Sequence, residues 1–380
     1  MAESFSLSEF VVPGVFVRVR AEGLISAGGI SAGNVGIVGT AAKAVPKAGE
    51  PDDFDRTYTL SDYEQALAIF GDYDLFPASK LNLVRALEVL FRNGARTVYA
   101  RALPLGAADA QPQPPAYTAA FAEVVKEDVN ILIAPQLSTA DALTVLPPLL
   151  ETAENNGKDL IAVVGSDKDV VDDIEGQVVS NDRLIFAAPA IRALQPTKVE
   201  NQQRIFETVD LPGSYTAAAV AGLISTLTPE ASPTNKVLSG VTDLAQRFSY
   251  GDEKDLINAG VLVLERRQGV RVVRGITTEM ATNGPFKQIT TRRIVDFAKA
   301  GIRQAANPFI GRLNNQRVRS ALRGAIAGLL DTMVVDEQLI AYTLDVTATR
   351  QDEIAGRAIV NAVLQPTFSI DFIAVTLVLE

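Results

Sequence analysis

The strongest constraint on the fold is an alternation of short apolar segments and helical segments in the middle of the chain. Residues 129–135 read VNILIAP, residues 159–165 read DLIAVVG, and residues 183–189 read RLIFAAP. Segments with helical spacing, 139–155 and 167–179, separate these runs. Strands that are linked by helices form parallel sheets with both faces covered. The sequence therefore predicts an α/β region around these three strands.

Further elements are predicted on both sides of this region and within it. Ser61 is predicted to cap a helix that ends at Gly71, with Glu64 completing a capping box. Helix 139–155 is predicted to be interrupted at Pro147 and Pro148. The remaining predictions are strands at 34–41, 96–102 and 356–380, helices at 80–93, 211–229, 292–307 and 314–333, and a hairpin over 256–279 that turns at Gln268 and Gly269.

The chain of 380 residues contains no Cys, His or Trp. This excludes disulfides, thiolate nucleophiles, imidazole bases and metal sites built on sulfur or imidazole. Gly33, Gly36 and Gly39 are spaced three apart, so they do not match the G-x-G-x-x-G motif, and no P-loop motif occurs. Carboxylate, lysine, tyrosine or Ser-Lys chemistry remains possible. We expect no catalytic residue, no cofactor and no metal, which favours a structural role.

Nothing in the sequence predicts export or membrane insertion. The first ten residues, MAESFSLSEF, lack the basic and apolar regions of a signal peptide. The uncharged stretch at 211–229 approaches the length of a membrane span but is diluted by Pro, Gly, Ser and Thr. We therefore expect a soluble protein that is made in a cytoplasm.

Charge is distributed unevenly along a chain whose formal net charge is −10. Residues 109–175 hold thirteen acidic residues against three lysines, whereas residues 266–323 hold thirteen basic residues against two acidic ones. A basic segment in an acidic chain favours an anionic partner. An acidic protein surface fits better than nucleic acid, because aromatic residues are sparse in this segment and the pI is about 4.8. A solvated helix face is the alternative.

Both ends of the chain carry the alternating pattern of a strand, which can add to the sheet of another molecule. Near the N-terminus the two phases are occupied by Val15, Val17 and Val19, and by Phe16, Arg18 and Arg20. Near the C-terminus the apolar residues change phase, from Phe368, Ile370 and Phe372 to Ile373, Val375, Leu377 and Leu379. Such a change indicates a bulge, or a strand that leaves one sheet and enters another environment.

The order of these segments resembles the contractile tail sheath family of phages, R-type bacteriocins, extracellular injection systems and, more distantly, type VI secretion. The block LINAGVLVLERRQGVRVVRGITT at 256–278 and the double helix after it are the most specific part of the resemblance. Arg18 and Arg20 stand where relatives often carry acids, and the chain has no aromatic near Val272. The other segments that carry the resemblance are PGVFVRV at 13–19, NVGIVGTA at 34–41, LEVLFRNGARTVYARA at 87–102, the small-residue helix and following loop at 213–241, and the C-terminal double strand.

The resemblance implies a sheath subunit that polymerises as stacked hexameric rings, or an equivalent six-start helix, around an inner tail tube. Contraction of such a sheath drives the tube through a target cell envelope. The implied fold is α/β, and α+β overall. It has an outer α/β domain with a mixed or parallel sheet at 23–255, an inner C-terminal α+β domain at 256–364, and strand arms at 1–22 and 365–380.

The resemblance also implies which residues make contacts between molecules. The arms are expected to join strands of neighbouring subunits through Val15, Phe16, Val17, Arg18, Val19, Ile370, Phe372, Val375 and Leu377. The tube is expected to contact Arg312, Arg317, Arg319 and Arg323. If the last long helix extends back to Arg312, then Arg312, Arg319 and Arg323 share one face by their spacings of seven and four.

The implied partners are further copies of the chain, the tail tube protein, and the baseplate and tail terminator proteins, with no direct nucleic acid contact. The implied location is a virion tail assembled in the host cytoplasm, or a cytoplasmic or released contractile particle. The sheath of a bacteriocin or of an extracellular injection system fits the sequence as well as that of a phage. An α/β enzyme that uses the middle sheet is the alternative from another class of protein.

Overall fold

The computed structural model describes residues 31–46, 49–73, 81–105, 111–200, 203–279 and 284–378, with the side chains of 196–205 left aside. These residues form thirteen strands and ten α-helices. In chain order they are β1 (Val35–Thr40), β2 (Tyr58–Leu60), α1 (Tyr63–Phe70), α2 (Leu83–Arg92), β3 (Val98–Leu103), α3 (Pro114–Val124), β4 (Ile131–Ile133), α4 (Thr139–Asn155), β5 (Ile161–Gly165), α5 (Val171–Glu175), β6 (Leu184–Ala188), β7 (Ile191–Glu200), β8 (Gln203–Leu211), α6 (Gly213–Thr226), β9 (Asp243–Leu244), α7 (Tyr250–Asn258), β10 (Val261–Arg266), β11 (Val270–Val272), α8 (Ile289–Ala306), α9 (Gln316–Val335), β12 (Leu339–Thr347), α10 (Arg350–Ile354) and β13 (Ile359–Pro366).

An eight-stranded sheet forms the centre of the fold, in the order β11-β10-β6-β5-β4-β1-β3-β2. Its six inner strands are parallel, and the two outermost strands, β11 and β2, pair antiparallel. Every residue of β1, β5 and β6 is buried, as expected for parallel strands with helices on both faces. The predicted α/β fold class is confirmed.

Each face of the sheet packs against its own set of helices. One face contacts α1, α2 and α6, and the other contacts α3, α4 and α7. The small residues of α6 are buried and allow backbone contact. A Cβ atom added at Gly213 would lie 1.9 Å from the carbonyl oxygen of Ser166, and one at Gly165 would lie 1.7 Å from that of Gly213. The start of α6 therefore lies directly against the end of β5, which only glycine permits at both positions.

The C-terminal helices lie outside the sheet and the helices on its two faces, and we call them, with the hairpin that packs on them, the C-terminal layer. α8 and α9 pack together with the β12-β13 hairpin around a separate apolar core that includes Ile294, Ile326, Leu330 and Leu364. A separate three-stranded sheet has the order β8-β7-β9.

The hairpin predicted within 256–279 is confirmed for β10 and β11, with positive φ angles of 54° at Gln268 and 110° at Gly269 in the turn. The hairpin belongs to the eight-stranded sheet rather than to the C-terminal layer. The division of the chain into an outer and an inner domain stays a prediction. The strand pairing favours a boundary after Val272 over one at residue 256.

Several predicted elements differ from the structure. The prediction that α4 breaks at its two prolines is wrong, because the helix continues through Pro147 and Pro148 to Asn155. Both prolines lie away from the buried face, so water can reach the carbonyl groups that lose their N–H partners. Buried Leu146 and Leu150 hold the helix to the sheet on either side of the prolines.

Two other helix predictions are corrected at their ends. The helix predicted at 167–179 is reduced to α5, which follows extended Val170 and ends at Gly176, because Asp and Gly are weak helix formers. Asp62, not Ser61, caps α1 by accepting from the backbone N–H of Gln65 at 2.8 Å. Asp62 is as good a capping residue as Ser61, so the capping pattern shifts by one position.

Candidate assembly surfaces

The last described residues lie exposed beyond β13. β13 ends at Pro366, and no described strand pairs with residues 367–378. We call residues 367–372 the arm root and residues 373–378 the arm tip. The strand predicted over this segment is therefore absent from the single subunit, because a strand needs a partner for its main-chain groups. Residues 379 and 380 lie outside the described residues.

The arm tip is apolar and open to solvent. The exposed fractions are 82% for Ile373, 75% for Val375 and 86% for Leu377. In the arm root before it, Ile370 and Phe372 are also exposed. Burying an aliphatic side chain of this size stabilises a protein by about 1.5–3 kcal/mol. A continuous apolar surface of this kind is typical of a segment that is covered in an assembly.

The neighbouring hairpin offers main-chain groups of its own. Within the described chain, β12 and β13 pair only with each other, so each strand keeps one edge without a described partner. Ile340 and Val363 on this hairpin are exposed. A free edge beside exposed apolar residues is a template for a strand from another molecule.

The N-terminal arm lies outside the described residues. The contacts predicted for Val15, Phe16, Val17, Arg18 and Val19 therefore stay predictions.

The four arginines assigned to the tube do not share one face. α9 begins at Gln316, so Arg312 is not on the helix, and the condition for a face shared by Arg312, Arg319 and Arg323 is not met. The cause is Asn315, whose side chain accepts from the N–H of Val318 and caps the helix there.

Arg319 is buried, and its guanidinium group is bonded within the subunit. It lies 3.1 Å from a carboxylate oxygen of Glu353 and 2.9 Å from the side-chain oxygen of Asn314. Arg317 and Arg323 are exposed on α9, and Arg312 is exposed before it. Of the three arginines on α9, Arg317 and Arg323 are therefore the two that are exposed to a partner, and Arg323 also donates to the carbonyl of Leu344 at 3.2 Å.

A cluster of ion pairs, which sequence reasoning missed, joins α8 to the end of the sheet. It contains four basic and four acidic side chains, and we call it the α8 clamp. Its members are Arg183, Arg292, Lys299, Arg303, Glu154, Asp159, Asp182 and Asp296.

Asp159 lies at the centre of the α8 clamp. One of its oxygens is 2.6 Å from Lys299 Nζ and 3.1 Å from Arg183 Nη2, and the other is 2.5 Å from Arg303 Nη1. The Asp159 side chain is 2% exposed. Arg183 also donates two hydrogen bonds to Glu154, at 2.8 and 2.9 Å. Breaking such a buried arrangement costs far more than losing a surface pair.

The α8 clamp changes the interpretation of the basic segment. Arg292, Arg293 and Lys299 all belong to residues 266–323, and all three are buried within the subunit. Arg293 donates to the carbonyl oxygens of Ala32, Leu227 and Thr228, and burial lowers its pKa to about 10. Lys299 and Arg303 pair with Glu154 and Asp159 of the acidic segment, so this part of the basic segment neutralises acids of the same chain instead of facing a partner.

Two carboxylates of the α8 clamp, Asp159 and Glu154, are held in their charged form. Burial raises the pKa of Asp159, but the charges of Lys299, Arg303 and Arg183 outweigh burial and hold it below its usual value. For Glu154, the hydrogen bond and charge of Arg183 likewise outweigh burial, and its pKa lies well below the usual range.

Acid is expected to weaken the α8 clamp. A carboxylate whose pKa is lowered by folding contributes stability above its unfolded pKa of about 4, and this contribution is lost as the pH falls further. We expect the free energy of unfolding to fall steadily below about pH 4 in low salt. Denaturant titrations between pH 5 and pH 2 measure this. In Asp159→Asn, which lacks the ionisable group, the fall should be shallower, and an identical fall would contradict the assignment.

The described residues contain no helix that combines the length and apolarity needed to cross a membrane. In the same part of the chain, no group of three acidic side chains is arranged to hold a metal ion.

Solved sheath proteins share this fold. The anti-feeding prophage sheath in its contracted state has a TM-score of 0.71 and 18% identity, covering 97% of this chain and 99% of that chain. The PVC sheath of an extracellular contractile injection system, also in its contracted state, has a TM-score of 0.69 and 17% identity. That match covers 100% of this chain and 99% of the PVC chain. A sheath tail protein from Desulfitobacterium hafniense has a TM-score of 0.61 and 13% identity. That match covers 93% of this chain and 100% of the Desulfitobacterium chain. The fold is thus that of sheath subunits.

Two models of the phage tail sheath family match most of the chain. The model of the phage tail sheath protein central domain matches residues 110–278, and that of the phage tail sheath C-terminal domain matches residues 281–380. No curated protein sequence matches the chain. The chain belongs to the phage tail sheath protein family, as the order of its segments predicted.

Proposed function

We propose that the protein is the repeating subunit of a contractile sheath, which surrounds an inner tail tube as hexameric rings or an equivalent six-start helix. Contraction of the sheath drives the tube through a target cell envelope. The partners are further copies of the chain along the sheath, the tube protein inside it, and baseplate and terminator proteins at its ends. The role is mechanical and requires no catalytic residue.

The observation that carries this proposal is the exposed arm tip beside the free edges of the β12-β13 hairpin. A strand that is added to another sheet is held mainly by main-chain hydrogen bonds. Such a joint holds neighbours together while they change their relative orientation, because it does not depend on one side-chain packing. Exposed Ile373, Val375 and Leu377 add apolar burial on pairing.

The α8 clamp fits the same mechanism. Contraction requires two arrangements of the subunits, and the stored free energy is the difference between their contacts. The α8 clamp ties the C-terminal layer to the sheet through buried ion pairs, so the body can move as one unit while the arms act as joints.

The proposed location is the tail of a virion assembled in the host cytoplasm, or a cytoplasmic or released injection particle. The similar solved structures include sheaths of injection systems, and the family models are those of phage tail sheaths. A bacteriocin sheath fits equally well.

We propose that the tube contact uses Arg317 and Arg323 on α9, with Arg312 beside them, facing an acidic stripe on the tube. Exposed ion pairs contribute only about 0–1 kcal/mol each, which suits a contact that must release. We expect the double charge reversal Arg317→Glu with Arg323→Glu to weaken assembly on tubes, and added salt to weaken that of the wild type.

Co-sedimentation of the sheath with purified tubes measures this contact. The matched control is Arg267→Glu, an exposed reversal at the turn between β10 and β11. Loss of tube-bound sheath in the α9 variant, with tube-free polymers unchanged, is the expected result. Equal tube binding by the α9 variant and the wild type would exclude this face.

An enzymatic role finds less support in the cleft between α8 and the sheet. This cleft of about 380 Å³ is lined by Lys126, Lys158, Asp159 and Arg303, among others. Its buried carboxylate, Asp159, is held in the charged form by three cations, so it is poorly suited to exchange a proton near neutral pH. The cleft is better explained by the docking of α8.

Negative-stain electron microscopy of the purified protein tests the proposed function. Long tubular polymers with a regular axial repeat are expected. A protein that stays monomeric at high concentration, in the presence and absence of tubes, would contradict the proposal.

A further inference from the structure

The arm root reverses the usual pattern of a surface strand. A strand that packs on a protein normally turns its apolar residues toward the core. In the arm root, the residues on one phase are polar and partly buried, and those on the other phase are apolar and exposed. The two sets are Thr367, Ser369 and Asp371, against Phe368, Ile370 and Phe372. The root is therefore held by polar contacts, which leave its apolar face outward.

These polar contacts converge on two side chains of the body. The Asp371 carboxylate accepts from Arg274 Nε at 2.8 Å and from Gln288 Nε2 at 3.1 Å. The Gln288 amide also bonds the Ser369 backbone twice, since its oxygen accepts from the N–H at 3.1 Å and its nitrogen donates to the carbonyl at 3.2 Å. The Arg274 guanidinium carbon lies 5.0 Å from the centre of the Phe372 ring.

Asp371 is nearly buried, although it lies close to the end of the chain. Its side chain is 7% exposed, and that of Arg274 is 21% exposed. A shielded, charge-assisted pair of this geometry is stronger than a surface ion pair. Every side chain of the arm tip that follows is exposed. Phe372 and Ile373 thus mark a sharp boundary between a held segment and a free one.

The two side chains that hold the arm root lie next to regular elements, one after β11 and one before α8. Arg274 follows β11, the edge strand of the eight-stranded sheet, by two residues, and Gln288 directly precedes α8. The main chain joins the two positions, because Ile276 and Gln288 form an antiparallel bridge and Ile289 N–H donates to Gly275 at 3.2 Å. The root is therefore attached where the sheet and the C-terminal layer meet.

We propose that Arg274, Gln288 and Asp371 form a latch that fixes the point and direction at which the arm tip leaves the subunit. The proposal rests on the proposed function. The six described residues of the arm tip span at most about 20 Å, so the starting point of the tip decides where these residues lie on a neighbouring copy. A neighbour that pairs with the arm tip is then connected, through the latch, to the edge of the sheet. The latch gives the arm tip the same starting point and direction in every subunit of the polymer.

Cryo-electron microscopy of Asp371→Ala polymers tests the latch. The arm tip is unchanged in this variant, so polymers are expected to form. Their helical rise and twist should be spread over a wider range than in the wild type, because the starting point of the tip is no longer fixed. Thr376→Ala, an exposed change within the tip, is the matched control and should keep the wild-type distribution.

Hydrogen exchange of the unassembled chain provides a second measurement. Gln288→Ala removes the acceptor of the Ser369 N–H and should speed its exchange about fivefold, the effect expected for one hydrogen bond. Unchanged exchange at Ser369, or helical parameters in Asp371→Ala as uniform as those of the wild type, would overturn the latch. A wild-type chain without polymers contradicts the proposed function instead, and the exchange measurement then decides whether the latch exists.

Discussion

Deletion of residues 373–380 is expected to leave a folded monomer that no longer polymerises. The arm tip is exposed throughout and belongs to none of the three apolar cores of the described chain. Removing it should therefore change the free energy of unfolding by no more than about 0.5 kcal/mol. Assembly loses both the main-chain pairing and the apolar burial of Ile373, Val375 and Leu377. Light scattering and electron microscopy measure assembly, and thermal unfolding checks the fold.

A pair of single substitutions separates main-chain pairing from side-chain contacts. Val375→Pro removes a main-chain donor and should abolish or strongly reduce polymerisation. Val375→Thr keeps the donor and a branched side chain, so it should polymerise nearly as well as the wild type. If the proline and threonine variants assembled equally well, strand addition by the arm tip would be excluded.

Asp159→Ala is expected to cause the largest loss of stability among single changes in the α8 clamp. It leaves Lys299, Arg303 and Arg183 without their common carboxylate in a buried site. Removing one partner of a buried ion pair typically costs about 3–5 kcal/mol, because the remaining charge stays uncompensated. Denaturant unfolding of the purified chain measures the loss.

Two further variants make this second prediction specific. Glu123→Ala removes an exposed ion pair with Lys126 and should have a far smaller effect. Adding Arg303→Met to Asp159→Ala should recover part of the lost stability, because Asp159 is the only carboxylate that pairs with Arg303 in the described chain. A cost for Asp159→Ala no greater than that for Glu123→Ala would contradict the role given to the α8 clamp.

The central sheet was predictable because its strands are short apolar runs between helices, and that pattern admits few other folds. The errors occurred where tertiary packing outweighs local preference. Pro147 and Pro148 are strong helix breakers, yet buried Leu146 and Leu150 keep α4 continuous across them. The first residue of α9 is set by whichever of several polar residues caps the helix. Asn315 is the cap, so the helix begins after it and Arg312 lies before the helix.

The α8 clamp was visible in the sequence only as two segments of opposite charge. Glu154 and Lys299 are 145 positions apart, so their pairing is set by long-range packing and leaves no local pattern. The change of phase at Phe372 and Ile373, by contrast, was a local signal. It lies at the boundary between the arm root and the arm tip.

High-resolution cryo-electron microscopy of the assembled polymer tests the central claim most directly. The account predicts that residues 373–378 form a strand that is hydrogen-bonded to a sheet of another copy, with Asp371 still bonded to Arg274 of its own chain. Polymers in which residues 373–378 are unpaired, or fold back onto their own subunit, would contradict it.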